Sequence, residues 1–133
     1  MKNLMYIVWN DNSKLGIPII DEQHRGIIST INSLYYFIQS GQGEEILRPT
    51  MIILEQYVKV HFSTEEALLV DAKYPDIEEH FDLHKQFVKK TKKISINSFG
   101  KKESDTVLKF LKEWWLDHIN KEDRKYVPFV INK

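Results

Sequence analysis

The chain has 133 residues, 19 basic and 19 acidic side chains, five His and no Cys, with 42% hydrophobic and 29% charged residues. That length suits one domain with a sizeable core, and the composition excludes a disordered chain. A formal net charge of zero argues against a dedicated binder of nucleic acid or of a membrane surface, and the lack of Cys excludes disulfides, thiolate-held clusters, Cys-ligated zinc and a Cys nucleophile.

The longest N-terminal apolar run, Leu4 to Trp9, has six residues. A signal-peptide core needs at least about seven and a spanning helix about 20. The expectation is a cytoplasmic chain with no membrane insertion. A non-helical arm is expected over 1–20, with Trp9 and the stretch around Gly16 capping one end of the molecule. The first helix is placed at about 21–39, with Asp21 as its N-cap and Gly41-Gln42-Gly43 as its stop. The second is placed at about 44–72. Pro49 falls in its first turns, where a missing N–H is tolerated, and Tyr74-Pro75 ends it. The third runs over about 76–97 and breaks near Phe99-Gly100. The fourth runs over about 103–121, before Pro128 and a tail to 133.

Apolar residues recur with helical period in each segment: Ile20, Ile27, Ile28, Ile31, Leu34, Tyr35 and Ile38, then Leu54, Tyr57, Val58, Phe62, Leu68 and Leu69. The third segment shows Ile77, Phe81, Phe87, Val88 and Ile94, and the fourth Val107, Leu108, Leu111, Trp114, Trp115 and Ile119. One buried stripe per helix and short turns predict an all-α, antiparallel up-down-up-down four-helix bundle in a single domain, 1–133.

All five His fall on those stripes: His24 between Ile20 and Ile27, His61 between Val58 and Phe62, His80 and His84 around Phe81, and His118 beside Ile119. Glu65 joins them, four residues after His61. A lone His on an apolar stripe is ordinarily a hydrogen-bonded core residue. Five neutral imidazoles and a carboxylate have no matching set of buried donors, and an unpaired buried carboxylate is very costly. A metal centre resolves both problems. His61 and Glu65, like His80 and His84, are four apart and share a helix face, so ligands converge from all four helices on the bundle interior. The set is too large for one tetrahedral zinc and too rich in nitrogen for magnesium or calcium. Imidazole with carboxylate suits iron, copper, nickel or zinc. Two ions joined by a bridging carboxylate fit best, and iron is the expected metal.

At these residues the chain resembles the hemerythrins, and among them the single-domain bacterial hemerythrins (bacteriohemerythrins). The matching pieces are Gly16-Ile17-Pro18-Ile19-Ile20-Asp21-Glu22-Gln23-His24, His61-Phe62-Ser63-Thr64-Glu65-Glu66, His80-Phe81-Asp82-Leu83-His84, and Trp114 through His118-Ile119 to Asp123 and Tyr126. The resemblance implies one iron held by His80, His84 and His118, and a second by His24 and His61. Glu65 and Asp123 would bridge them, with an oxo or hydroxo group as a third bridge. The second iron then keeps one open position for dioxygen. Spacing alone does not choose Asp123. It lies five after His118, about 140° around a regular helix, whereas Glu122 lies four after. Asp123 requires a loosened turn near 118–123, such as a π-bulge, or a helix end. Bacterial hemerythrins usually carry Trp-Leu where this chain has Trp114-Trp115. Trp115, with Ile27, Phe62, Trp114 and Ile119, forms the expected dioxygen pocket, and Trp115 either narrows it or simply fills the core.

The resemblance implies reversible dioxygen binding, for carriage, storage or delivery to an unidentified protein recipient, rather than catalysis. The alternatives are a di-iron redox enzyme acting on peroxide or nitric oxide, and an oxygen or redox sensor. Oxygen-activating bundles typically use several Glu with paired Glu-x-x-His motifs, and no His here has Glu three before it. Sensors of this family usually carry an output domain, for which 133 residues leave no room. The basic stretch Lys85, Lys89, Lys90, Lys92, Lys93, then Lys101 and Lys102, reads first as a solvated helix face, with contact to an anionic partner as the alternative. Glu66 and Asp21 are candidate partners for ligand imidazoles.

Overall fold

The computed structural model describes residues 6–41, 43–97 and 101–131. It contains α1 (Pro18–Gln39), α2 (Gly43–Asp71), α3 (Ile77–Asn97), α4 (Lys101–Trp114), a π-helical stretch (Trp115–Glu122) and α5 (Asp123–Ile131), preceded by a 3-10 turn at Asp11–Ser13. The segments from Lys101 to Ile131 run on without a break. The molecule is therefore a bundle of four helical rods, and no strand occurs among the described residues.

The helix ends follow from local chemistry. The first helix starts at Pro18, not at residue 21. Ile17 occupies the cap position at φ −112° and ψ 101°, because a residue before proline is held out of the helical region. Pro18 then sits where its missing N–H costs nothing. Asp21 is not the N-cap. It lies inside the first turn, and its carboxylate accepts from the Leu15 and Gly16 amides at 2.7 and 3.1 Å, tying the arm to the helix. Past the end of α1, Gly41 takes a φ of +81°. The second helix ends at Asp71 with a Schellman motif. Lys73 adopts φ 55°, while the Tyr74 amide donates to the Leu69 carbonyl and the Lys73 amide to that of Val70. The expected break at Phe99-Gly100 lies outside the described residues. The fourth rod does not stop near 121. It reaches Ile131 with Pro128 inside α5, so the expected tail is largely helix.

The arm does not cap one end. It runs along the bundle side, with Ile7 in one apolar cluster and Leu15 and Ile17 in another. Asn32 holds it by accepting from the Tyr6 and Ile7 amides and donating to the Ile7 carbonyl. Gly26 lets α1 approach α2 closely, since a Cβ there would lie 1.8 Å from the Tyr57 hydroxyl. The buried face of α3 is His80, His84, Phe87 and Thr91, one residue round from the purely apolar stripe. Val88 is consequently 39% exposed.

The core has two apolar parts. The larger contains Ile27, Ile31, Leu54, Val58, Phe62, Phe87, Leu111, Trp114, Trp115 and Ile119. The smaller contains Ile20, Leu69, Tyr74 and Tyr126. Each rod crosses from one to the other, and at the crossing it carries the chemistry-bearing residues: His24 on α1, His61 and Glu65 on α2, His80 and His84 on α3, His118 and Asp123 on the fourth rod. A polar layer thus lies sealed between two apolar plugs.

Candidate metal centre

All seven side chains of that layer are buried, with exposures from 0 to 5%. On α2 and α3 the four-residue spacing brings each pair onto one face. The fourth rod needs the wider π turn. There the Asp123 amide donates to the His118 carbonyl five residues back, which stacks Asp123 over His118 and turns its carboxylate inward with 0% exposure. Glu122 points out and pairs with Lys125 at 2.9 Å. The loosened turn expected near 118–123 is therefore present, and Asp123, not Glu122, joins the cluster.

The polar atoms fall into two overlapping groups. Glu65, His80, His84 and His118 each offer one atom within 4.8 Å of the others, and so do His24, His61, Glu65 and Asp123. Each carboxylate divides its oxygens between the two sides. Glu65 Oε1 lies 3.0 Å from His84 Nε2 and 3.6 Å from His80 Nε2, while its Oε2 lies 3.4 Å from His61 Nε2. Asp123 Oδ1 lies 3.1 Å from His80 Nε2 and 3.5 Å from His118 Nε2, while its Oδ2 lies 3.1 Å from His24 Nε2.

Several of these atoms have no hydrogen-bond partner in the protein. His80 Nε2, His118 Nε2 and Asp123 Oδ1 are all buried and unpaired. His80 Nε2 and Asp123 Oδ1 approach to 3.1 Å without the alignment of a hydrogen bond. Such atoms converge on a common space rather than on one another, and buried orphans of this kind are costly unless a cation completes them. The donor set fits a pair of transition-metal ions.

The outer ring nitrogens show how lone pairs are aimed inward. His61 Nδ1 donates to Gln23 Oε1 at 2.8 Å and His84 Nδ1 to Glu66 Oε2 at 2.8 Å. With Nδ1 protonated, Nε2 is left as the acceptor, the usual arrangement around ligating imidazoles. Gln23 is itself held by Thr64 at 3.1 Å. The Tyr126 hydroxyl donates to Glu65 Oε2 at 2.7 Å. Of the two imidazole partners expected from sequence, Glu66 serves His84, Asp21 binds the arm instead, and Gln23 was missed. Gln23 precedes one His in the chain but serves another on a different helix, which no local spacing reveals. Tyr126 carries a faint signal, three residues after Asp123 on the same face.

Electrostatics separates the two carboxyls. Burial works to raise the pKa of Glu65, but the attraction of the surrounding imidazoles, His61 foremost, outweighs it and holds the carboxyl well below its ordinary value. Burial and the neighbouring Glu65 push Asp123 well above its ordinary value. Burial, chiefly, lowers His24 and His118 to about 3, so both imidazoles are neutral. The metal-free layer thus keeps His24 and His118 in the ligating form and Glu65 ionised, while Asp123 holds a proton that cations can displace.

Aromatic rings pack on the layer from the larger apolar plug. Phe62 stacks on His84 at 3.7 Å and Trp114 on His118 at 5.5 Å. Trp115 meets His24 edge-on at 5.7 Å, with Trp9 behind it at 6.3 Å. The expected pocket residues therefore divide. Phe62 and Trp114 buttress the three-His side and Trp115 the two-His side, while Ile27 and Ile119 lie in the same apolar cluster.

Comparison with known proteins agrees with this geometry. The family described as the hemerythrin HHE cation binding domain matches residues 15–130. The chain is 30% identical to a bacteriohemerythrin of Pseudomonas aeruginosa over 96% of this chain and 83% of that protein. It is 31% identical to a bacteriohemerythrin of Stenotrophomonas maltophilia over 93% of this chain and 81% of that one. A solved wild-type hemerythrin superposes with a TM-score of 0.81 at 25% identity, over 94% of this chain and 98% of that one. With its four-helix bundle and its buried His and carboxylate layer, the chain belongs to the hemerythrin family.

Proposed function

We propose that the protein binds dioxygen reversibly at a non-haem di-iron centre held by His24, His61, Glu65, His80, His84, His118 and Asp123. The observation that carries the reading is the division of each carboxylate between two sets of imidazoles, three on one side and two on the other. Glu65 and Asp123 would bridge, His80, His84 and His118 would hold one ion, and His24 and His61 the other. Two irons, when bound, supply the reversible two-electron exchange with dioxygen, completed by an oxo or hydroxo bridge.

The chain's own groups do the rest. Gln23 and Glu66 fix the His61 and His84 rings through their Nδ1 protons, and Tyr126 holds one oxygen of Glu65 in place. The two apolar plugs keep bulk water and anions from the layer, which slows irreversible oxidation. The side with only two imidazoles is the one that leaves space for a ligand, and Trp115, Ile27 and Ile119 form its apolar wall. A lower ligand charge than in Glu-rich oxygen-activating bundles favours uptake and release over chemistry on a substrate.

The test is anaerobic loading with ferrous iron, followed by visible absorption during addition and removal of dioxygen. Two irons per chain and a charge-transfer band that appears and bleaches reversibly are expected. A band that decays to a permanent ferric spectrum would favour a redox enzyme or sensor instead. Bound iron without any band would overturn the reading.

A further inference from the structure

The layer is closed to solvent, so a reductant in solution cannot touch it. Two hydrogen-bonded routes lead outward, one from His61 to Gln23 and one from His84 to Glu66. The Glu66 side chain is 38% exposed and opens on a cleft of about 520 Å³ between α2 and α3. Lys59, Lys85, Lys89 and Lys92 line that cleft, with Phe62 and Phe81 as its apolar floor. Four cations thus face one carboxylate in a chain of zero net charge. Lys14, Arg25 and Lys125 are paired with Asp11, Glu22 and Glu122, carboxylates that lie outside this cleft. A second cleft, of about 510 Å³ between α3 and the fourth rod, reaches His118. There Lys90 and Lys121 are matched by Glu113 and Asp117. Of these two clefts, the one that leads to Glu66 carries the charge imbalance.

We propose that the α2–α3 cleft is the docking surface for a small acidic one-electron carrier protein, which returns the oxidised centre to the ferrous state by way of Glu66 and His84. The inference rests on the di-iron reading above. In each encounter the carrier loses one electron and one ferric ion becomes ferrous. Two encounters restore the pair, and no covalent bond in the chain changes. Electron-transfer encounters use small, charge-steered surfaces, and this one has a lysine rim about an apolar floor. Lys85 to Lys92 spans two turns of α3, about 10 Å, which suits a protein patch better than one small anion. A small anion seated inside would also meet the Glu66 carboxylate. Phe62, stacked on His84 with its ring inclined by only 5°, adds direct contact between the floor and the layer.

The test uses iron-loaded, oxidised protein and a reduced plant-type [2Fe–2S] ferredoxin as the acidic probe. Stopped-flow gives the second-order reduction rate as a function of ionic strength, and calorimetry gives binding of the oxidised probe. The double variant Lys85→Glu/Lys89→Glu is compared with Lys90→Glu/Lys121→Glu, which carries the same charge change at the balanced cleft. At low salt the first should lose roughly tenfold or more in both binding and rate, and the second should stay near wild type. The gap should close near 0.5 M salt, where screening acts within about 4 Å. No binding by wild type, equal losses in both variants, or a rate indifferent to salt would overturn the proposal. Metal analysis and the visible spectrum of the loaded, oxidised wild type separate the two readings. If two irons per chain and a ferric band are missing, the di-iron reading falls, and the docking surface then stands or falls on the calorimetry alone.

Discussion

Tyr126→Phe tests the hydrogen-bonded scaffold of the centre one oxygen at a time. The ring of Tyr126 is fully buried in the smaller apolar cluster, and phenylalanine preserves that packing. What is lost is one hydroxyl that donates to Glu65 Oε2 at 2.7 Å, a length typical of a charge-assisted bond. Glu65 Oε2 then keeps only His61 Nε2, at 3.4 Å. A hydrogen bond to a charged group contributes about 1.5–3 kcal/mol. Removing a buried hydroxyl also removes its own desolvation cost, so the net loss is set at about 2 kcal/mol. For a chain of this length that corresponds to a fall of roughly 6–10 °C in melting temperature. The assay is urea unfolding of metal-free wild type and variant. The midpoint should drop by about 1 M with the slope unchanged. Because Glu65 also becomes harder to ionise, ferrous loading should shift to higher pH. A loss below about 0.5 kcal/mol, or an unchanged loading profile, would refute the reasoning and leave Tyr126 as packing.

Three further outcomes follow from the same layer. Asp123→Asn should remove one bridging carboxylate and lower iron content from two ions to one or none by metal analysis. The metal-free variant should unfold at a higher urea midpoint, because a carboxyl held above its ordinary pKa destabilises the folded state as pH rises past the unfolded value, and an amide does not titrate. In the metal-free protein His24 and His118 titrate near 3 when folded and near 6.5 when unfolded. The unfolded chain therefore takes up protons first, and stability should be full above pH 6.5 and fall as pH drops toward 3. At pH 5 the loss is about 2 kcal/mol per imidazole, read as acid-shifted urea midpoints; a flat profile between pH 7 and 5 would contradict neutral, solvent-free rings. Trp115→Leu should open space beside His24, cost about 1–3 kcal/mol through the cavity, and speed both dioxygen release and oxidation of the ferrous centre in stopped-flow. Unchanged rates would assign Trp115 to core filling.

The spacing of His24, His61, Glu65, His80 and His84 already implied a buried polar layer, because helical periodicity alone decides which residues of one helix share a face. The same periodicity implied four rods and the apolar plugs above and below. On its own it favours Glu122 over Asp123, which lies about 140° from His118 around an ideal helix. Asp123 joins the layer through a π turn whose wider repeat brings residues five apart into register. Helix starts were misplaced where a proline rule competed with a capping rule: Ile17-Pro18 set the beginning of α1 and left Asp21 to bind the arm. Pro128 looked like a terminator but stands inside α5. Gln23 could not be paired with His61, nor four lysines from two helices gathered around Glu66, by any local pattern. Those relations join residues far apart in the chain, and only the packing of one helix against another brings them within reach.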